Sequence, residues 1–232
     1  MLKIWHRWAC GYEIENTLAS FAKAIDLWID MIELDLHICT SGELIVFHDQ
    51  DLFRILGIDK YIYMMDFSEI SSYKLTNNQS IPRLSQVLDL INRRVKINIE
   101  IKNIAAIEPL LDLLSHYISQ KWRTWNDFLI SSFDHYAICL AKKLQPNIYI
   151  WALSEWIMIW YADFAEKLWC YSLHTSIEFA NAEIVNDAHN RWLQLYIYTC
   201  NTKLQIQKAY DLWADGIISD FPDMIIYSPL NK

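Results

Sequence analysis

Between Met31 and Asp49 the chain reads MIELDLHICTSGELIVFHD, which sets carboxylates at Glu33 and Asp35 and an imidazole at His48 within one short stretch. Ile32, Leu34 and Leu36 alternate with the two acids, so a strand of period two puts the carboxylates on one face and the aliphatics on the other. Ser41-Gly42 supplies a turn and Leu44 to Phe47 a return strand, and a hairpin folded there carries His48 back opposite Glu33 to Asp35. Two carboxylates one strand repeat apart are costly to bury unless a cation or hydrogen bonds compensate them. A hard divalent cation would do so, and histidine beside it exchanges protons near neutral pH. The alternative is that both acids face water on a half-exposed strand.

A further acid lies on a later strand. VKINIEI, Val95 to Ile101, places Asn98, Glu100 and Lys102 on one face and Ile97, Ile99 and Ile101 on the other. Around these two segments the chain alternates in kind. Leu2 to Trp5 reads as a first strand ending at His6-Arg7, and Leu18, Phe21, Ala22 and Ile25 recur at helical spacing behind a cap at Asn16 or Thr17. Asp51 to Ser80 is a polar, irregular insertion with a helical piece near Phe67 to Tyr73, and Pro82 precedes a helix through Leu84, Val87, Leu88 and Ile91.

Beyond Val95 the reading is helix Ile104 to Ser119, strand Phe128 to Ser132, helix Tyr136 to Leu144 and strand Ile148 to Leu153. It continues with helix Trp156 to Lys167, strand Cys170 to Leu173, helix Ile177 to Asn190, strand Leu193 to Thr199, helix Thr202 to Leu212 and strand Gly216 to Ser219. Such alternation implies parallel strands covered by helices, and at this length a closed TIM-type (β/α)8 barrel, irregular at the opening hairpin where no helix separates two strands. The strand C-terminal ends form the active face of such barrels. His6, Glu33, Asp35, Glu100, Lys102, Ser132 and Asp220 all stand at or near strand ends.

The 232 residues are 53% hydrophobic with a net charge of −8, enough for a single domain with one substantial core. No basic cluster is present, which argues against nucleic acid or an anionic membrane as the main partner. Five scattered cysteines lack metal-ligand spacing, and together with a start that resembles no signal peptide they point to reduced thiols and a cytoplasmic address. The longest apolar run, Ile148 to Ala162, is interrupted by Ser154 and Glu155 and too short for a membrane span. Oligomeric state is not legible.

The pieces HR (His6-Arg7), ENTLASF (Glu15 to Phe21), IELDL (Ile32 to Leu36), SGELIVFHD (Ser41 to Asp49), IPRL (Ile81 to Leu84), NIEIK (Asn98 to Lys102), SSFD (Ser131 to Asp134) and ADGIISDFPD (Ala214 to Asp223) resemble, in order, the glycerophosphodiester phosphodiesterase family. The resemblance implies a barrel hydrolase that splits a glycerophosphodiester into sn-glycerol 3-phosphate and an alcohol. It implies Glu33, Asp35 and Glu100 as ligands of Mg²⁺ or Ca²⁺, His6 and His48 as the general acid and base, and Arg7 and Lys102 as phosphate ligands. A sphingomyelinase D-like phospholipase, or a barrel that binds phosphodiesters without cleaving them, are the competing readings. Lys102 could instead serve only to pair with Glu100, and Asp49 could orient His48 or touch substrate. His37, His116, His135, His174 and His189 carry no motif and read as surface or core residues.

Glycine is scarce, four residues against eleven tryptophans, where about 7% glycine is ordinary. Trp28, Trp169, Trp192 and Trp213 each fall between a helix and the next strand, where a left-handed cap usually takes glycine, and Trp8 stands where the family carries glycine after HR. Two explanations fit: UGA codons that the source reads as glycine, or genuine substitution with rebuilt turns. An indole at Trp8 would crowd the phosphate or misplace His6, and a displacement of about 1 Å can cost on the order of 10²-fold in rate. Trp8→Gly is therefore expected to raise kcat/KM by at least about tenfold, and an unchanged value in a fully active parent would show that the indole lies clear of the phosphate.

Overall fold

The computed structural model describes residues 1–5, 13–26, 29–121, 123–221 and 224–225. His6, Arg7, Trp8 and Trp28 lie outside them. Strand β1 (Leu2–Trp5) leads to helix α1 (Leu18–Asp26) and then to β2 (Met31–Ile38), which turns at Gly42 into the antiparallel β3 (Leu44–Val46). The insertion follows as β4 (Asp51–Leu52), α2 (Phe53–Leu56), β5 (Ile58–Tyr61) and α3 (Phe67–Ser72), and α4 (Leu84–Ile91) returns to the barrel at β6 (Lys96–Ile101). Alternation then runs through α5 (Ile107–Lys121), β7 (Phe128–Ser132), α6 (His135–Leu144), β8 (Tyr149–Ser154), α7 (Asp163–Lys167), β9 (Ser172–Ser176), α8 (Ala182–Asn190), β10 (Gln194–Tyr198), α9 (Lys203–Asp211) and β11 (Gly216–Ser219).

Parallel pairing runs β1-β11-β10-β9-β8-β7-β6-β2, and β2 pairs back onto β1 through Ile4↔Met31, so the barrel closes on eight strands with β3 outside it. The expected TIM-type barrel with one irregular hairpin is what forms. Closure makes both faces of every strand interior. Ile32, Leu34 and Leu36 point outward against the helices with Ile97, Ile99 and Ile101, while Ile4, Met31, Leu129, Trp151, Tyr196 and Ile218 pack together inside. The insertion has its own small core, Ile62, Met65, Ile70 and Leu75 against Ile45 and Phe47. Among the described residues no helix is long and apolar enough to cross a membrane, and Cys39, Cys139, Cys170 and Cys200 are free thiols.

Several boundaries differ from the sequence reading. The insertion contains a short antiparallel pair, β4 with β5, where only irregular chain was expected. No helix forms over Trp156 to Ala162, because Trp160 and Tyr161 adopt left-handed dihedrals (φ 65° and 43°) and the helix start is set by a distant group, Asp187 Oδ2 accepting from the Ala162 amide at 2.8 Å. Strand β9 begins two residues later than expected and runs on to Ser176, and α8 waits for Asn181, whose side chain accepts from the Ile184 amide.

The tryptophan turns share one geometry. Trp169, Trp192 and Trp213 have φ of 56°, 62° and 61°, and in each the tryptophan amide donates three residues back while the next amide donates five residues back, to Ala165, Ala188 and Ala209. These are Schellman caps with tryptophan at the position that favours glycine. The residue after each cap, Cys170, Leu193 or Ala214, is buried against the same core, while the indoles are 77%, 96% and 81% exposed. Nothing holds the indoles there, and a left-handed side chain costs roughly 1 to 2 kcal/mol. Each of Trp169→Gly, Trp192→Gly and Trp213→Gly is expected to stabilise the fold by about 1 kcal/mol in thermal or denaturant melts; a destabilised set would show that the indoles make contacts worth more than the strain. Codons at these positions decide the origin of the pattern, UGA for glycine-decoding and UGG for true tryptophan.

Candidate active site

Glu33 and Asp35 point into the barrel from β2, and register places Asp35 beside Glu100 of β6 and Glu33 beside Asn98. One oxygen from each of Glu33, Asp35 and Glu100 lies within 4.8 Å of the others, and the three residues are only 3%, 0% and 8% exposed. Three buried carboxylates at this spacing repel one another unless cations intervene. Lys102 provides one: its Nζ lies 2.9 Å from Asp35 Oδ1 and also donates to Glu100. Burial alone would lower the pKa of this ammonium, but Asp35 and Glu100 outweigh burial and raise it. Among the described residues Lys102 is the ammonium beside the three carboxylates, and an all-oxygen donor set of this kind fits a hard divalent cation.

Asn16 completes this corner. Its left-handed backbone (φ 56°) turns the side chain inward, and Nδ2 donates to Asp35 Oδ2 at 2.9 Å. Thr17, not Asn16, caps α1, accepting from the Ser20 amide at 3.3 Å. The cap alternatives of the sequence thus divide into one structural residue and one that holds a candidate metal ligand.

His48 follows β3 as the hairpin geometry requires, and the Phe47 amide donates to the Asp35 carbonyl at 3.1 Å. Asp49 Oδ1 accepts from His48 Nδ1 at 2.6 Å, which fixes the proton on Nδ1, and His48 lines the cleft. His37 is a buried support: Nε2 donates to the His48 carbonyl at 3.2 Å, and burial lowers its pKa to about 4. His135 bonds the Leu153 carbonyl and His189 bonds Asp215, both structural roles. Ser132 is likewise structural, donating to the Ile101 carbonyl and accepting from the Asp134 amide.

A cleft of ≈ 600 Å³ opens at the strand C-terminal ends, and Glu33, Asn98, Glu100, Lys102 and His48 line one side of it. The far wall begins with Ser131 on β7 and Phe133 just after it, both within the SSFD piece, and continues with residues the motifs did not single out, Glu155 after β8, His174 on β9 and Tyr198 on β10. Phe133 and Tyr198 meet edge to face, 6.3 Å between centroids. His174 carries no motif and reads from sequence as a surface or core residue; the extension of β9 to Ser176, beyond the expected end at Leu173, puts Ser172, His174 and Ser176 in alternation on the inner face. It is fully buried beside Trp151 and Tyr196, its Nε2 is 3.2 Å from Ser172 Oγ, and burial drives its pKa down to about 3.

That depression has a sign. Unfolded histidine takes a proton near pH 6.5, whereas folded His174 refuses it until about pH 3, so the unfolded state binds more protons between those values and stability falls as pH falls. The contribution is complete above pH 6.5 and is lost toward pH 3. His174→Asn is expected to melt below the parent at pH 7, with the gap narrowing steadily as pH falls below 6.5 toward 3. A gap that stays constant would show that His174 is not held neutral.

Comparison with known proteins agrees with this geometry. Residues 6–224 match the model of the glycerophosphoryl diester phosphodiesterase family. A glycerophosphodiester phosphodiesterase of Bacillus altitudinis is 29% identical over 238 residues, covering 97% of both chains. A lysophospholipase D of Homo sapiens is 23% identical, covering 94% of this chain and 83% of the relative. Among solved structures, a phosphodiesterase of Oleispira antarctica in complex with the product sn-glycerol-3-phosphate superposes with a TM-score of 0.88 at 26% identity, over 97% of this chain and 95% of that one. Together, the eight-stranded barrel, the acidic cluster at the C-terminal ends of β2 and β6, and the family match over nearly the whole chain place this protein in the glycerophosphoryl diester phosphodiesterase family.

Proposed function

We propose that this chain, a phosphodiesterase of that family, splits glycerophosphodiesters into sn-glycerol 3-phosphate and an alcohol with a divalent cation held by Glu33, Asp35 and Glu100. The observation that carries the reading is the buried carboxylate triad beside His48 in the barrel-mouth cleft. A cation bound there, Mg²⁺ or Ca²⁺, would neutralise the charge that develops on the phosphate oxygens. Lys102 sits beside the triad, and it is assigned to the phosphate as a point charge; Arg7, two residues beyond β1 in the sequence, is assigned there by the HR piece, as a planar fork.

The phosphate carries no good leaving group, so proton transfer has to accompany bond change at both sides of phosphorus. One histidine of the pair His6 and His48 removes the proton from the attacking oxygen, assigned to the glycerol 2-hydroxyl, as its bond to phosphorus forms. The other delivers a proton to the departing alcohol oxygen as that bond breaks, and water then opens the cyclic ester. His48 suits either duty, since Asp49 holds Nδ1–H and leaves Nε2 to the ligand. A second depression of ≈ 820 Å³, lined by Asp51, Phe53, Asp59 and Tyr61 of the insertion, shares His48 and Lys102 with the main cleft, which supports the insertion as the part that meets the alcohol. The four free thiols among the described residues support a reducing, cytoplasmic setting.

A phospholipase D-type activity on lipid-borne diesters is the second reading. It is favoured by the loop after β8, where Trp156, Ile157, Ile159 and Trp160 are 59%, 54%, 84% and 76% exposed directly beyond Glu155 at the cleft. Hydrolysis of lysophosphatidylcholine in vesicles, faster than that of glycerophosphocholine in solution, would select it.

An assay of released glycerol 3-phosphate is expected to show turnover that chelator abolishes and Mg²⁺ or Ca²⁺ restores; full activity in excess chelator would end the metal assignment. His48→Ala is expected to lose about 10² to 10⁴ in kcat while His116→Ala does little. Glu100→Ala is expected to weaken metal binding in calorimetry with the fold intact, and an unchanged affinity would remove Glu100 from the site.

A further inference from the structure

Arg54 lies on α2, in the insertion, and no motif pointed to it. Its guanidinium grips two carboxylates at once. Nε donates to Asp49 Oδ2 at 2.6 Å and Nη2 to Asp49 Oδ1 at 3.2 Å, while Nη1 donates to Glu15 Oε2 at 3.1 Å and Nη2 to Glu15 Oε1 at 2.5 Å. Both paired edges of the fork are engaged, which leaves Arg54, although half exposed, a single Nη1–H outside the two grips. Isolated surface ion pairs contribute little, but paired forks on two carboxylates fix geometry as well as charge.

Both ends of the grip lead into the active site. Through Asp49 it reaches His48: burial would raise the Asp49 carboxyl, but the hydrogen bonds from Arg54 and His48 outweigh burial and keep it below its ordinary value. A charged Asp49 is the acceptor that holds the proton on His48 Nδ1 and aims Nε2 at the cleft. Through Glu15 it reaches the adjoining Asn16, whose side chain holds Asp35. The foot of the insertion is itself secured, with Asp51 Oδ1 accepting from the Phe53 amide at 2.9 Å and the Ile62 amide donating to the Gln50 carbonyl at 2.9 Å.

We propose that Arg54 is a positioning residue that joins the proton-transfer histidine to the metal-ligand corner, fixing the tautomer of His48 through Asp49 and the loop that carries Asn16 through Glu15. The role of His48 rests on the hydrolase reading above. In this arrangement Arg54, which lines the depression beside the insertion, directs its paired donors to Asp49 and Glu15; it sets the relative placement of two groups that must act on one phosphate, where a misplacement of about 1 Å can cost on the order of 10²-fold.

The test uses the full chain with Arg54→Gln, Arg54→Lys, Asp49→Asn and the double variant Arg54→Gln/Asp49→Asn. Lys60→Gln serves as control, since it removes another ion pair of the insertion, that with Glu69. On glycerophosphocholine, kcat is expected to fall about 10- to 100-fold in Arg54→Gln with KM nearly unchanged. Arg54→Lys should recover only part, because an ammonium cannot grip both carboxylates as a fork does, and the double variant should lose well short of the product of the two single losses, because one arm of Arg54 acts through Asp49. Lys60→Gln should match the parent. Proton NMR of the ligand-free protein supplies a readout independent of activity: a downfield His48 Nδ1–H signal in the parent, lost in Asp49→Asn and broadened in Arg54→Gln. If Arg54→Gln is too unstable to measure, Glu15→Gln, which frees one arm only, takes its place with the same expectations at smaller size. A folded Arg54→Gln with parental kcat, a double variant whose losses multiply, or a Nδ1–H signal that survives unchanged would each overturn the proposal. A parent inactive on every glycerophosphodiester would sink the hydrolase reading instead, and the NMR comparison would still decide whether Arg54 orders His48.

Discussion

Mutual repulsion among Glu33, Asp35 and Glu100 is the constraint on which this barrel turns. At about 4 Å, two like charges repel by about 4 kcal/mol even at an effective dielectric of 20, and these three are almost fully out of water. Lys102 offsets part of that repulsion, and Asn16 donates one further hydrogen bond. The strands cannot relieve the rest by moving apart, because Asp35 and Glu100 are held at adjacent register on paired strands whose outer faces are locked into the helix layer by Ile32, Leu34, Leu36, Ile97, Ile99 and Ile101. Aliphatic packing outside the barrel therefore maintains electrostatic strain inside it. A cation held among the three acids would relieve that strain, and the groups that could hold it stand on a rigid sheet rather than on a flexible loop.

The hairpin and insertion answer a different need. A barrel strand presents the acids from within, and a side chain that is to meet them from beside the strand has to leave the barrel's alternation. Leaving the α/β alternation at Gly42 produces β3, which lies against β2 and delivers His48 at the level of Asp35. Support then comes from both sides: His37 on β2 fixes the His48 carbonyl from within, and Asp49 fixes the ring from without. The insertion's small core gives Arg54 a stable base from which to hold Asp49 and Glu15, so a segment that reads as a decoration of the fold contributes to the order of its centre.

The helix-to-strand turns show how far burial can outweigh local preference. Three caps keep Schellman hydrogen bonding around tryptophan because Ala165, Ala188 and Ala209 and the residues after each cap are buried in the common core. The turn is imposed by packing on either side, and the indole is turned out into water. Glycine would satisfy the same bonds without strain, so the exchange of the two residues at these positions leaves the fold recognisable while lowering its stability.

Period-two alternation with embedded acids was enough, by itself, to identify β2 and β6, to put Glu33, Asp35 and Glu100 on inward faces, and to return His48 to them through the turn at Gly42. Alternating helix and strand patterns were enough for the barrel. These features are local, carried by a few consecutive residues, and so they are written in the order of the side chains. The far wall of the cleft, Asn16 on Asp35, Lys102 on Asp35 and Arg54 between Asp49 and Glu15 are contacts between segments distant in sequence, and Arg54 and Glu15 are 39 residues apart. His174 shows the boundary between the two kinds of information: its alternation was present in the sequence, but where β9 ends is decided by pairing with β8 and β10. Trp156 to Ala162 marks the same limit from the other side, a helical composition whose backbone is set by Asp187 on α8. Short-range pattern decided which faces carry the chemistry; closure of the barrel decided which of those faces meet.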